Sequence, residues 1–211
     1  MKAAPQFGAE FRAELAELFR WRRDVRRFRR ARLPDGVLDR LFGLANLAPS
    51  VGLSQPWRFV VVESGERRQA VRAGFEACNA AALAGQSGER AALYARLKLS
   101  GLDDAPIQFA VFADRATAQG HGLGRATMPL SIDYSAVMAL HRLAARAEGI
   151  GLGWVSILDL ARMNALLDVT PDWTFIGYIC LGYPDEDHDS PELERFGWET
   201  RRALAPAILQ R

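Results

Sequence analysis

The chain has 211 residues, enough for one domain of generous size, and its 49% hydrophobic and 25% charged content is that of an ordinary globular protein. No apolar stretch reaches the roughly 18 residues of a membrane span, and Glu10, Glu14 and Glu17 interrupt what a secretory leader would need, so a cytoplasmic protein without a membrane partner is expected. A net charge of +2 marks no global nucleic-acid surface, although Lys2 and Lys98 are the only lysines and the remaining positive charge is arginine, a bias that a GC-rich genome also produces.

Phe11, Leu15, Leu18 and Phe19 recur at helical spacing and predict a first helix ending near Trp21. A basic stretch follows, Arg20 to Arg32. Pro34 and Asp35 open a second helix with Leu38, Leu41, Phe42 and Ala45 on its apolar face, and Ala48-Pro49-Ser50 ends it. Arg58 to Val62 reads as a short buried strand, Arg67 to Ala84 and Arg90 to Leu99 as helices, and Ile107 to Ala113 as a second strand. Asp114 to Pro129 reads as a long loop, of the kind that usually serves function. Tyr134 to Glu148 is helical and capped by Gly149. Strands are expected at Gly153 to Leu158 and Trp173 to Leu181, with a short helix, Arg162 to Leu167, between them. Tyr183 to Arg211 reads as an arm. The mixture predicts an α+β chain: a central, mostly antiparallel or mixed sheet covered by helices, as one domain over 1–211 whose arm, about 183–211, docks on a partner subunit.

Several familiar chemistries lack their residues. Cys78 and Cys180 form no CxxC, and with His121, His141 and His188 scattered no metal-ligand spacing arises, so no metal is expected. Cys180 sits in an apolar run and reads as a buried thiol. The two G-x-G-x-G runs, at Gly120 and Gly149, have the wrong spacing for a dinucleotide turn, and the second follows a helix instead of a strand. No serine carries a G-x-S-x-G elbow.

Three clusters can carry chemistry. In Arg22-Arg23-Asp24-Val25-Arg26-Arg27-Phe28, arginines this dense repel one another unless an anion is near. On a helical turn Arg22 and Arg26 would share a face and clamp a phosphate, while the surrounding charge would keep the pKa of Asp24 low. A solvated basic face or a nucleic-acid patch are the other readings. The run Ala48 to Phe59 has two prolines that stiffen a loop able to offer Ser50 and Gln55 beside an apolar floor; a structural turn around a core Trp57 is the alternative. In Gly151 to Leu158, glycines allow close backbone approach, Trp154 offers a flat wall and Ser156 a lone hydroxyl; a plain core strand is the alternative.

Together these runs resemble the FMN-dependent nitroreductase superfamily, through a basic R-R-x-x-R followed by A-P-S-x-x-x-x-Q-P-W. Within it the chain is similar to the 5,6-dimethylbenzimidazole synthase branch. The matching residues are Arg22 to Arg26, Ser50 to Phe59, Gly122 to Pro129, Gly153 to Asp159, Pro191 to Glu194 and Gly197 to Arg201. The resemblance spans about Phe19 to Arg201. It implies a nitroreductase-like fold, a homodimer and an FMN at each interface. It also implies that reduced FMN and O2 yield dimethylbenzimidazole and erythrose 4-phosphate, the flavin being substrate, with NAD(P)H entering only through a flavin reductase. Carried over by residue, Arg22, Arg23 and Arg26 hold the phosphate and ribityl region, with Asp24 and Val25 in the same run. Asp24, where many nitroreductases have Ser, is the critical carboxylate, a base or proton relay beside the ribityl chain, and Ser156 is the second important residue. Ser50, Gln55, Trp57, Gly153 and Trp154 line the ring or its ribityl end, and Lys98 and Arg201 are weaker flavin contacts. The loop from Asp114 to Pro129 becomes a lid that excludes solvent. Leu130, His141 and Arg142 depart from the branch's pattern, which bears on lid packing and dimer contacts. The alternative function is a conventional nitroreductase that recycles FMN with a nicotinamide cofactor; a non-enzymatic flavin store or nucleic-acid arm is the third.

Overall fold

The computed structural model of the protein describes residues 4–85, 88–89, 92–93, 100–118, 138 and 141–204. Its centre is a four-stranded antiparallel sheet in the order β1-β2-β4-β3, with β1 at Trp57–Val61, β2 at Ile107–Asp114, β3 at Gly151–Val155 and β4 at Trp173–Gly182. In β2 and β4 successive residues serve opposite faces, as the two-residue repeat of a strand demands. Phe109, Val111, Ile179 and Leu181 pack into one core with Val37, Leu41 and Ala145. Ala110, Phe112, Tyr178 and Cys180 pack into the other with Val71, Leu158 and Met163. Both faces are therefore covered, and the inner strands carry almost unbroken apolar runs.

The helices described from end to end are α1 (Ala9–Trp21), α2 (Val37–Ala45), α3 (Gly65–Ala84), α4 (Gly101–Asp104), α5 (Leu160–Leu166) and α6 (Glu192–Arg195), with a 3-10 turn at Val51–Leu53. α2 begins three residues later than Pro34 suggests, because Gly36 takes a left-handed φ of 75° at the N-cap and Val37 N–H donates to Pro34 C=O. Its fully buried stripe is Val37, Leu41 and Ala45, one turn apart each time. Ser64 caps α3 by accepting from the Arg67 N–H at 3.3 Å, so this helix starts two residues before Arg67. Residues 141–147 are helical and end as expected: Gly149 is left-handed at φ 70°, and Ile150 N–H reaches back to Ala145 C=O. The predicted helix at Arg90 to Leu99 falls mostly outside the described residues, as does most of the predicted lid.

α1 has the expected period, but none of its residues is buried. Phe7, Phe11, Leu15 and Phe19 form a stripe along one side, each between 36% and 56% exposed. Among the described residues no helix is long and apolar enough to cross a membrane.

Candidate active site

The arginine segment is extended, not helical. After the C-cap at Arg22 it runs along the free edge of β3: Asp24 bridges Leu152 in parallel sense, Val25 N–H donates to Leu152 C=O at 3.0 Å, and Phe28 bridges Pro184. The helical phosphate clamp expected of Arg22 and Arg26 is thereby corrected. The edge of β3 offers unpaired backbone groups, and they capture the segment as a short added strand. A strand's alternation still puts Arg22, Asp24 and Arg26 on a common side. Their charges act together, since both arginines pull on the Asp24 carboxyl.

The glycines of β3 explain why the segment can lie so close. A Cβ on Gly153 would run into the Val25 carbonyl oxygen, and one on Gly151 would meet the Val25 side chain at 2.7 Å. Close approach was expected of a ligand; the described backbone shows it for the chain's own segment. Gly177 on β4 likewise makes room for the Trp154 indole.

Asp24 Oδ1 accepts the Trp154 N–H at 3.0 Å and the Arg142 guanidinium at 2.8 Å. Burial pushes this carboxyl above its ordinary value and outweighs the opposing pull of Arg142, the Trp154 N–H, Arg26 and Arg22. That overturns the expectation of a low pKa: neighbouring positive charge is present, but desolvation of the charged form is the larger effect. About a third of the Asp24 side chain nevertheless remains accessible. It opens on a cavity of about 320 Å³ lined by Arg26, Phe75, Trp154, Ser156, Leu193 and Trp198 among others.

Ser156 lies just beyond β3, not within a strand as its apolar neighbours suggested. Leu158 N–H turns back onto the Ser156 carbonyl, and Asp159 then caps α5 through the Ala161 N–H. The hydroxyl is thus exposed on the cavity wall instead of satisfied in the core.

Arg23 lies among other charges. Burial, Arg22 and Arg201 hold its pKa below the usual guanidinium range, while Asp189 and Glu194 oppose them. Its Nε is buried without a hydrogen bond among the described residues. Arg22 and Arg201 thus act on Arg23 as like charges, which joins Arg201, 178 residues from Arg23 in sequence, to the basic segment. Arg27 faces the arm, paired with Glu192 at 3.2 Å. Lys98 lies outside the described residues.

The loop before β1 is built separately. Arg58 holds it by donating to the carbonyls of Gln55 and Trp57 and by pairing with Asp114 at 2.7 Å. Gln55 N–H donates to Ser50 Oγ at 3.0 Å, and Trp57, only 5% exposed, donates its indole N–H to Asn46. Ser54, Gln55 and Trp57 line a different cavity, of about 530 Å³. The register keeps this loop away from Asp24. Trp57 pairs with Ala113 and hence aligns with Thr174, whereas Leu152, beside Asp24, aligns with Leu181. The offset along β4 is roughly 23 Å at about 3.3 Å per residue, besides three strand spacings sideways.

A family model described as the nitroreductase family matches residues 19–183. The chain belongs to the nitroreductase family. Within that family it is 55% identical over 204 residues to the 5,6-dimethylbenzimidazole synthase of Rhodospirillum rubrum, covering 96% of this chain and 97% of that protein. It is 48% identical to the enzyme of the same name from Rhodobacter capsulatus, covering 92% and 94%. The crystal structure of oxidized iodotyrosine deiodinase bound to FMN and 3-iodo-L-tyrosine matches with a TM-score of 0.70 at 22% identity, over 82% of this chain and 91% of that one, and shares the nitroreductase-like fold.

Sequence reasoning missed several residues of this nitroreductase-family site. Phe75 reaches the cavity from α3 with no local pattern to announce it, and Leu193 and Trp198 reach it from the arm, where the matching runs Pro191 to Glu194 and Gly197 to Arg201 contained them without giving them a role in the site. Asn46 orients Trp57. The departures His141 and Arg142, read as matters of lid and dimer packing, sit in the core and on Asp24 respectively. Leu130 lies outside the described residues.

Proposed function

We propose that the chain is a 5,6-dimethylbenzimidazole synthase, which fragments reduced FMN with O2 into dimethylbenzimidazole, the lower ligand of cobalamin, and erythrose 4-phosphate. The observation that carries this reading is Asp24: a half-covered carboxylate beside Ser156 in an arginine-flanked cavity, within a chain 55% identical to a protein of that name. The residues fit FMN. Arg22, Arg23 and Arg201 repel one another and would bind the phosphate, the buried and unpartnered Arg23 Nε being one donor in want of an acceptor. Trp154 offers an apolar wall for the ring.

Bound reduced flavin would supply the electrons for O2, and its dimethylbenzene ring and one ribityl carbon would become the product. The chain's own work is to orient the flavin, exclude water and move a proton. Asp24, raised by burial, holds or accepts a proton more readily than a surface aspartate. Ser156 donates or accepts a hydrogen bond at the same wall. Arg26 keeps the charge of the sugar phosphate chain in register with that carboxylate.

A homodimer accords with two features. The apolar stripe of α1 has no cover within the described chain. Ser50, Gln55 and Trp57 lie too far from Asp24 to border the same ring in one chain, so a second copy supplies them, while the described part of the arm, expected on a partner subunit, packs on its own chain through Arg27–Glu192 and the Asp24 cavity. NAD(P)H serves only a separate flavin reductase, and the setting is cytoplasmic.

The test is the fate of the flavin. FMN is reduced without oxygen, mixed with pure protein and opened to air, and the products are separated by chromatography. Dimethylbenzimidazole is expected. Flavin recovered intact, with NADPH consumed on a nitroaromatic, would identify a conventional nitroreductase instead.

A further inference from the structure

Arg142 rides on helical residues 141–147, 118 positions from Asp24, and no motif marked it. Its neighbour His141 is fully buried, stacked on Phe109 with ring centroids 5.3 Å apart and edge-on to Phe42 at 5.7 Å. That anchor holds the helix against the core and turns the next side chain toward β3. The Arg142 guanidinium lies 5.3 Å from the centre of the Trp154 ring, and Nη2 donates to Asp24 Oδ1 at 2.8 Å. The Trp154 N–H, at 3.0 Å, donates to the same oxygen. Only 16% of the Arg142 side chain is exposed. Among the described residues, no hydrogen bond falls on Asp24 Oδ2.

We propose that Arg142 is a positioning residue for Asp24: with the Trp154 N–H it occupies Oδ1, so that Oδ2 is the oxygen presented to the cavity for proton exchange. The proposal rests on the reading of Asp24 as a proton carrier. Two donors on one oxygen favour keeping that oxygen an acceptor, since a proton there would take one of its two lone-pair sites and displace a donor. The guanidinium sits over the Trp154 ring, and although burial lowers its pKa, the Asp24 carboxylate opposes that shift, so the ring and the carboxylate together hold the cation in place. The other groups acting on Asp24 are Arg22 and Arg26 from its own segment. The thiol of Cys180 on β4, pushed up chiefly by burial and further by Asp24, stays protonated. Arg142 is thus the cation that binds Asp24 from a second element.

The test uses the full chain with Arg142→Gln, Arg142→Lys and, closer to an apolar filler, Arg142→Met. The Asp24 carboxyl is titrated by carbon NMR in the flavin-free protein, its signal identified by its loss in Asp24→Asn. Product formation from reduced FMN is then followed against pH. Removal of a cation disfavours the carboxylate, so the Gln variant should titrate at higher pH. The acid limb of its pH–rate profile should move the same way, with roughly tenfold loss of rate on that side, because an opposite charge at this range shifts a carboxyl by a unit or more. FMN affinity should not change, and Arg142→Lys should bring the limb back toward the parent. Arg142→Met is read in the same way if the Gln variant folds poorly. A carboxyl titration unmoved by loss of the guanidinium overturns the positioning contact. A moved titration with an unmoved pH–rate profile overturns the proposal by the other route, through the role of Asp24, so the two failures are distinguishable.

Discussion

Asp24 concentrates the chemistry of the site in one side chain whose two oxygens have different neighbours. Oδ1 is committed to Arg142 and the Trp154 N–H. Asp24→Asn preserves the shape and much of the polarity of the side chain, so FMN should still bind. Product should fall by at least about a hundredfold, the usual scale of a lost general acid or base, as chromatography of the reaction would read; product at the parent rate would exclude a chemical role. Arg26→Ala should act on affinity, raising the FMN Kd roughly tenfold or more, as loss of a charge-assisted hydrogen bond does. Isothermal titration measures it, and an unchanged Kd removes Arg26 from the anion site. His141 makes a prediction of a different kind. Burial lowers its pKa from 6.5 to about 4, and among the described residues neither ring nitrogen has a hydrogen-bond partner. Between these two values the unfolded chain binds a proton that the folded chain refuses. Stability should therefore fall as pH drops from about 6.5 to about 4, by up to about 3 kcal/mol from this group. Denaturant unfolding of His141→Leu should lose that part of the pH dependence and keep the rest.

At the scale of elements, most boundaries were legible because periodicity reports burial directly. α2 carries the stripe that its core requires, and β2 and β4 show as short apolar runs because both of their faces are covered. The arginine segment shows the limit. Its four-residue spacing suits a helix, yet it lies extended, because pairing with the edge of β3 is a contact between residues 24 and 152 that no local window contains. The glycines of β3 were visible as permissive positions, but their partner was not. Gly153→Ala tests the assignment: its Cβ would meet the Val25 carbonyl. It should cost about 1–3 kcal/mol through overpacking and loosen FMN binding along with the segment, as thermal unfolding and flavin titration would report. Unchanged stability and affinity would show that the segment can shift without loss.

For the molecule as a whole, the separation of the two candidate clusters matters most. Ser50 to Trp57 and Asp24 lie at opposite edges and opposite ends of the sheet, and the stripe on α1 faces outward. Phe11→Asp should therefore yield a monomer in light scattering and abolish flavin uptake, while leaving the fold's circular dichroism in place. A dimeric Phe11→Asp protein with full flavin uptake would take α1 out of the interface.

Composition, period and motif were enough to determine the α+β class and most of the elements, and to nominate candidate residues for the site, because each depends on neighbours a few positions apart or on a run long enough to be distinctive. Tertiary structure alone decided that the basic segment lies extended along the edge of β3, that burial outweighs positive charge at Asp24, that Arg201 joins Arg22 and Arg23, and that Arg142 reaches Asp24. Those outcomes turn on which distant residues come together and on how much water is left between them, and a linear pattern carries neither quantity.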